Sequence, residues 1–326
     1  QQDCYSPDRP ISDHQPQVFC ASHADQTLEI LSWNIMTRGR SGQTGRTGTS
    51  LEGRLLTNNG LDCDETPESY EQRLMERVIP VIKTWLAAVS TVRLACLQEF
   101  PAQPLLQQEI AAALRSTRRS LQLAVGRCRQ DASELASYCS AVVWDAAVWD
   151  ETPCEVAEGG VGLFLHGKQS SLAVISSHLP FIDSPGGSKY REGLLAARKF
   201  LRQLPGLAPM LIVAGDFNVD VSELAETAGS LCAQAAFIPE TAKFRDQNLS
   251  TDGCFLFVDP ADAKPRERLA LNLVEGVWRS SGSELFAGLD RDAFISKYVA
   301  QSLHEEPRLW RLADAGVASL GRWPFA

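Results

Sequence analysis

The chain has 326 residues, 44% of them hydrophobic and 22% charged, with a formal net charge of -9. This is the composition of a globular protein large enough for one big domain or two ordinary ones, and no apolar run reaches the length of a membrane span. The acidity disfavours a protein that grips long DNA through a broad basic face, although it leaves room for a metal-dependent nuclease, because a bound cation supplies positive charge locally.

Residues 1–26 are polar and rich in Pro, Asp and Gln, and 1–27 is expected to be an N-terminal arm outside the domain. His14 and His23 are expected at its surface. The nine cysteines form no CxxC zinc pattern. Cys4 and Cys20 bracket the arm, and Cys128 and Cys139 bracket a polar loop. Both spacings suit local disulfides in an oxidising compartment, while buried thiols acting as small hydrophobes are the alternative. A sequence that starts at Gln1 has either lost a leader or been trimmed, and with these cysteine spacings the expectation is an exported protein, a soluble cytoplasmic one being the alternative.

Leu28 to Ile35 alternates as a first strand ending on Asn34. Residues 37–60 form a Gly-rich insertion carrying Arg38, Arg40, Arg46 and Arg54. It is either a solvated loop or a basic flap that closes on an anionic substrate. Thr66, Pro67 and Glu68 open a helix as cap, first residue and first-turn acid. Its apolar stripe is Leu74, Val78, Val81, Ile82, Trp85, Leu86 and Val89. A second strand, Val92 to Gln98, ends at Glu99. The pattern predicts a helix over 105–114, strands over 121–125 and 141–149, and a hairpin of 161–165 with 171–177 leading to His178. His166 falls in its turn. A basic amphipathic helix is predicted over 188–204, a helix over 221–237, a strand over 254–258, a helix over 291–303 and a final strand over 308–312. No repeat and no linker stand out, so 28–326 is expected to be one domain.

The stretch Leu211-Ile212-Val213-Ala214-Gly215-Asp216-Phe217-Asn218 is the centre of this pattern. Four apolar residues make one buried strand, and a Gly then breaks it. Asp216 and Asn218, two apart, are expected on one side with Phe217 turned to the core. A carboxylate and a carboxamide there suit a hard cation and a phosphoryl oxygen, although an Asp/Asn turn after a strand is the plain alternative. The same holds for the other ends of apolar runs: Asn34, Glu99, His178, Asp252 and, near the C-terminus, His304. Singly, each could be a cap, a surface acid or a satisfied core imidazole. Together they are the inventory for metal-assisted phosphoryl transfer.

Ser32-Trp33-Asn34-Ile35, Leu97-Gln98-Glu99, Ser176-Ser177-His178-Leu179, Gly215-Asp216-Phe217-Asn218 and Thr251-Asp252-Gly253 occur in that order. This series resembles the endonuclease/exonuclease/phosphatase superfamily, over about residues 28–312. The resemblance implies the DNase I-like fold, an α/β (α+β) four-layer sandwich with two packed mixed sheets between helices. It implies that Glu99, helped by Asn34, binds Mg²⁺ or Mn²⁺. Asp216 would orient or deprotonate the attacking water, and Asn218 would position the phosphate. His304 would contact the phosphoryl oxygens and be oriented by Asp252. His178 would contact the phosphate and act as general acid. The family usually ends in Ser-Asp-His-x-Pro, whereas this chain has Ser302-Leu303-His304-Glu305-Glu306-Pro307, so an acid that usually helps hold the metal is replaced by Leu303. Glu305, Asp290 or Asp292 could compensate.

The expected function is hydrolysis of a phosphate ester, mono or di, by a monomer. The substrate is left open among lipid headgroups, inositol phosphates, nucleotides and nucleic acid. His178 places the chain nearer DNase I, the sphingomyelinases and the lipid phosphatases than the apurinic-site repair branch. Phe217 stands where inositol 5-phosphatases typically carry Leu. A degenerate member that binds a phosphorylated ligand without turnover, and a nuclease toxin, are the alternatives.

Overall fold

The computed structural model describes His14 and residues 16–23, 26–35, 37, 67–87, 92–117, 120–128, 137–154, 160–167, 171–179, 210–218, 221, 233–237, 242–244, 247–249, 251–258, 270–274, 312–313 and 316–317. In chain order the first strands are β1 (Gln17–His23) and β2 (Gln26–Asn34), followed by helix α1 (Pro67–Arg73). A five-residue π-helical turn, Leu74–Val78, joins α1 to α2 (Ile79–Leu86). Next come β3 (Val92–Pro101), α3 (Pro104–Thr117), β4 (Leu121–Val125), β5 (Tyr138–Asp145) and β6 (Trp149–Cys154). The rest are β7 (Gly160–Gly167), β8 (Ser171–His178), β9 (Met210–Asp216), β10 (Ala233–Phe237), β11 (Ala242–Phe244), β12 (Gln247–Leu249), β13 (Asp252–Val258), β14 (Ala270–Val274), β15 (Leu312–Ala313) and β16 (Gly316–Val317).

Period-2 alternation divides these strands into two faces. Leu28 and Ile30 of β2, Leu94 and Cys96 of β3, Leu172 and Val174 of β8, Ile212 and Ala214 of β9, and Cys254 and Leu256 of β13 join one buried cluster. That cluster is the seam between two six-stranded sheets, ordered β14-β1-β2-β3-β5-β4 and β10-β13-β9-β8-β7-β6. The odd-numbered positions of β2 and β3 face the other way. Leu31, Trp33, Ala95 and Leu97 pack with Leu74, Val78, Ile82, Trp85 and Leu86 of the helical hairpin and with Ile110 and Leu114 of α3. The result is the expected sandwich of two mixed sheets, each with one parallel pair, β2–β3 and β8–β9.

Pro67 opens α1 with Glu68 in its first turn, as the sequence signals, and the stripe from Leu74 to Leu86 is buried. The π turn has a local cause. Pro80 has no N–H to return to the preceding turn, and the helix widens just before it so that Ile79 N–H reaches Leu74 O.

Several expectations change. Gln17–His23, inside the expected arm, is a strand paired with both β2 and β14. Residues 233–237 form a strand on β13 rather than a helix, so pairing with Phe257 to Gly253 overrides the helical propensity of the alanines. Residues 141–149 divide between β5 and β6. His166 lies within β7, its ring edge-on to Phe164 at 3.8 Å, rather than in a turn. A strand at Ala270–Val274 arises where the sequence shows no pattern. The helices expected over 188–204 and 291–303, most of the 37–60 insertion, and residues 308–311 lie outside the described residues.

Cys128 and Cys139 form a disulfide with Cα atoms 4.4 Å apart. Cys96 and Cys254 are buried thiols in the inter-sheet seam, and burial pushes the Cys96 thiol up to about 12. Both uses of cysteine considered from the sequence therefore occur. Cys20 sits in β1 and packs against the helix-side core, while Cys4 is outside the described residues. No helix among the described residues is long and apolar enough to cross a membrane.

Candidate active site

The inward-facing stripe of each central strand is apolar for most of its length and turns polar at one end. On β2 it continues from Ile30 to Ser32 and Asn34; on β8, from Val174 to Ser176 and His178. On β9 it passes from Ala214 to Asp216, and on β13 from Cys254 to Asp252. The register aligns these ends: His178 pairs with Asp216, and Asp216 with Asp252, in one row across β8, β9 and β13. Asn34 pairs with Gln98 in the other sheet. Gln98 Nε2 reaches across to Ser176 Oγ at 3.1 Å, and Ser176 Oγ donates to Leu97 O at 3.0 Å. The two sheets are thus stitched together just below the polar rim.

At the rim the side chains meet. Asn34 Nδ2 donates to Glu99 Oε1 at 3.2 Å and to Asp216 Oδ2 at 2.9 Å, joining an acid from each sheet. The other oxygen of Glu99 accepts from Thr37 N–H at 2.8 Å. Arg73 Nη1 holds Ile35 O at 2.8 Å and so fixes the chain leading to Thr37. His178 Nε2 lies 3.0 Å from Asn218 Nδ2 and 3.5 Å from both Glu99 Oε1 and Asp216 Oδ2. The Tyr138 ring stands edge-on to His178 at 4.6 Å. Asn34, Glu99, His178, Asp216, Asn218 and Asp252 are therefore all brought to one place, and all are buried. His304 lies outside the described residues.

Two of these positions depend on backbone that the sequence does not reveal. Glu99 has φ 53° and Asn218 has φ 51°, the left-handed region, and no other non-Gly residue among those described has positive φ. Such a conformation is ordinary for Asn and costly for Glu, of order 1–3 kcal/mol. At Glu99 it coincides with a bulge, because the β3–β5 register shifts between Leu97 and Phe100. Asn218 arrives by a turn rather than by strand alternation: its N–H donates to Asp216 Oδ1 at 2.9 Å. Phe217 between them is buried against Phe255 with ring centroids 5.0 Å apart.

Sequence reasoning missed His14. It is expected at the surface of an arm, yet its Nδ1 lies 2.8 Å from Asp252 Oδ2 and its Nε2 3.6 Å from Asp216 Oδ2. Its side chain is only 12% exposed. Its one local cue is position, three residues before a strand the sequence does not signal.

Burial alone would raise the Asp216 pKa. The charge of His14, the hydrogen bond and charge of His178 and the Asn218 N–H outweigh that effect and hold it well below the usual carboxylate range. Asp216 is thus ionised at neutral pH.

The donor set fits a hard divalent cation. Three carboxylates, on Glu99, Asp216 and Asp252, are nearly inaccessible and share one rim with two imidazoles. Buried carboxylates persist when paired or bound to metal, and oxygen donors suit Mg²⁺ or Mn²⁺. His14, Asp216 and Asp252 also offer ligand atoms within 4.8 Å of one another. Asn34 presents its amide nitrogen to the acids; a half-turn of the amide would present Oδ1 to a cation there.

No protein-family model and no curated protein matches the chain. Solved structures do resemble it. One is ANGEL2, described as a 2',3'-cyclic phosphatase, at 12% identity and a TM-score of 0.49 over 82% of this chain and 92% of that one. Another is the human Nocturnin catalytic domain, at 14% identity and 0.44 over 79% and 96%. A third is an endonuclease/exonuclease/phosphatase family protein from Leptotrichia buccalis, at 12% identity and 0.40 over 56% and 81%.

Proposed function

We propose that the chain is a divalent-cation-dependent phosphohydrolase of the endonuclease/exonuclease/phosphatase type. The observation that carries this reading is the convergence of Asn34 and Glu99 from one sheet with His178, Asp216, Asn218 and Asp252 from the other, in one buried rim. Glu99, with Asn34, would hold the cation. When bound, Mg²⁺ or Mn²⁺ neutralises charge on the phosphoryl oxygens.

The chain's own groups account for the rest. Asp216, buried and ionised, accepts a proton from water as the water oxygen bonds to phosphorus and the ester P–O bond breaks. Asn218 would position the phosphate; its Nδ2 donates to Leu179 O at 2.7 Å, and its backbone N–H bond to Asp216 fixes the two residues together. His178, whose Nε2 faces Glu99, Asp216 and Asn218, is placed to protonate the departing oxygen. The Cys128–Cys139 bridge supports export to an oxidising compartment.

The substrate is a phosphate monoester or diester. It is best identified by screening p-nitrophenyl phosphate, bis(p-nitrophenyl) phosphate, sphingomyelin, phosphoinositides, plasmid DNA and RNA with Mg²⁺ or Mn²⁺. Turnover should vanish in EDTA, return with the cation, and fall about 10²–10⁴-fold in Asp216→Ala. Full activity in Asp216→Ala or Glu99→Ala would refute the site. Leu303 motivates a second reading, binding of a phosphorylated ligand without turnover. Tight binding with no hydrolysis above the Asp216→Ala control would favour it.

A further inference from the structure

We infer that His14 is a phosphate-contacting residue of this site, supplying from the N-terminal segment the imidazole that Asp252 orients. The inference rests on the proposed phosphoester site and names a residue that the strand-end pattern does not contain.

The geometry is that of a built contact. The Nδ1 of His14 is 2.8 Å from Asp252 Oδ2, so Nδ1–H donates to a carboxylate that is itself buried. That bond fixes the ring plane and turns Nε2 toward the rim, where it stands 3.6 Å from Asp216 Oδ2. Asp216 Oδ2 is the same oxygen that Asn34 holds and that His178 faces. Nε2 of His14 therefore stands at the rim beside Asp216 Oδ2, where the phosphoryl group and its attacking water would sit.

The backbone is anchored as well. Trp33 Nε1, next to Asn34 in sequence, donates to His14 O at 3.1 Å. Gln17, three residues on, begins the strand that pairs with Ser32 of β2. His14 is thus pinned to β2 by backbone and to β13 by side chain. An imidazole so fixed is in place to meet negative charge developing on a phosphoryl oxygen without reorganising.

A cation held among His14, Asp216 and Asp252 is the competing use of the same atoms. The two differ in whether phosphate binding needs the ring when no metal is present. The test measures inorganic phosphate binding by calorimetry in EDTA, Mn²⁺ affinity by electron paramagnetic resonance, and hydrolysis of bis(p-nitrophenyl) phosphate. The proteins are the full chain, His14→Ala, His14→Asn, His166→Ala and His304→Ala. Asn at position 14 can still donate to Asp252 and so guards the fold, but it offers no Nε2. Melting temperature reports that fold.

The expected result is a loss of about 10²-fold or more in turnover in both His14 variants, as for a removed oxyanion donor. Phosphate binding in EDTA weakens by about 10-fold or more, and Mn²⁺ affinity and the melting temperature of His14→Asn stay unchanged. His166→Ala behaves as wild type. Hydrolysis within about 3-fold of wild type in His14→Asn would overturn the inference. So would a loss confined to Mn²⁺ affinity, or a larger loss in His304→Ala than in His14→Ala. If wild type binds phosphate through His14 but hydrolyses nothing, the hydrolase reading falls and this one stands. If wild type neither hydrolyses nor binds phosphate, both fall.

Discussion

The two sheets are built to one plan and differ in what they bury. Reading across each, the pairings run antiparallel, antiparallel, parallel, antiparallel, antiparallel, with β2–β3 in one at the place of β8–β9 in the other. The parallel pairs end alike, at Asn34 beside Gln98 and at His178 beside Asp216. Five residues back the likeness stops: Glu29 pairs with Arg93 in the first sheet, Ala173 with Leu211 in the second. The first pair is a buried ion pair, Arg93 Nε to Glu29 Oε2 at 2.6 Å, with the guanidinium over the Trp85 ring at 4.1 Å and bonded to Trp85 O. The second is apolar. A shared backbone plan thus tolerates different interiors, while at the rim both sheets contribute acids and amides.

The largest stability effect is expected at the ion pair. Arg93→Leu leaves Glu29 buried without its guanidinium and should cost about 3–5 kcal/mol in urea unfolding. Importing the second sheet's pair, Glu29→Ala with Arg93→Leu, should recover most of that loss. A double variant as unstable as the single one would show that the charge is needed for more than its own pairing.

A Cβ at Gly215 would meet Ser177 O at 1.9 Å, whereas Leu97 occupies the same register position in the first sheet. Gly215→Ala should therefore destabilise by about 3 kcal/mol. It should also lower turnover, because Asp216 is the next residue. Leu97→Ala should lose stability through a core cavity and leave the rim in place.

The Cys128–Cys139 bridge ties the segment after β4 to β5. Cys128→Ser should cost about 2–3 kcal/mol, the scale for a short closed loop. Turnover should fall modestly, through Tyr138 against His178.

The smallest effect is acid sensitivity. The folded-state pKa of Asp216 lies below its unfolded value near 3.9, so the folded protein holds fewer protons there than the unfolded chain. That contribution is fully present above about pH 5 and fades as pH falls through and below 3.9. Asp216→Asn should flatten the stability profile between about pH 5 and 3, and an unchanged slope would deny that Asp216 is held ionised by its neighbours.

Much of the rim was legible in the sequence because a strand is a local object. A run such as Ile212, Ala214, Asp216 or Val174, Ser176, His178 places its polar residue at the end of an inward stripe, whatever the rest of the chain does. The helix from Pro67 was legible for the same reason, since cap, proline and apolar stripe lie within a few turns. The β10 strand was not, because AQAAF favours a helix until an open edge beside Cys254 and Phe255 captures it.

The sequence by itself determined which strands run buried and which polar residue types stand at their ends, because alternation is dictated by the backbone pleat. The tertiary structure alone decided that Glu99 turns inward through a left-handed bulge and that β1 is part of a sheet. It also decided that His14 sits on Asp252 across 238 residues of sequence. Those outcomes rest on contacts between distant segments, and a contact of that kind leaves no periodicity in either segment.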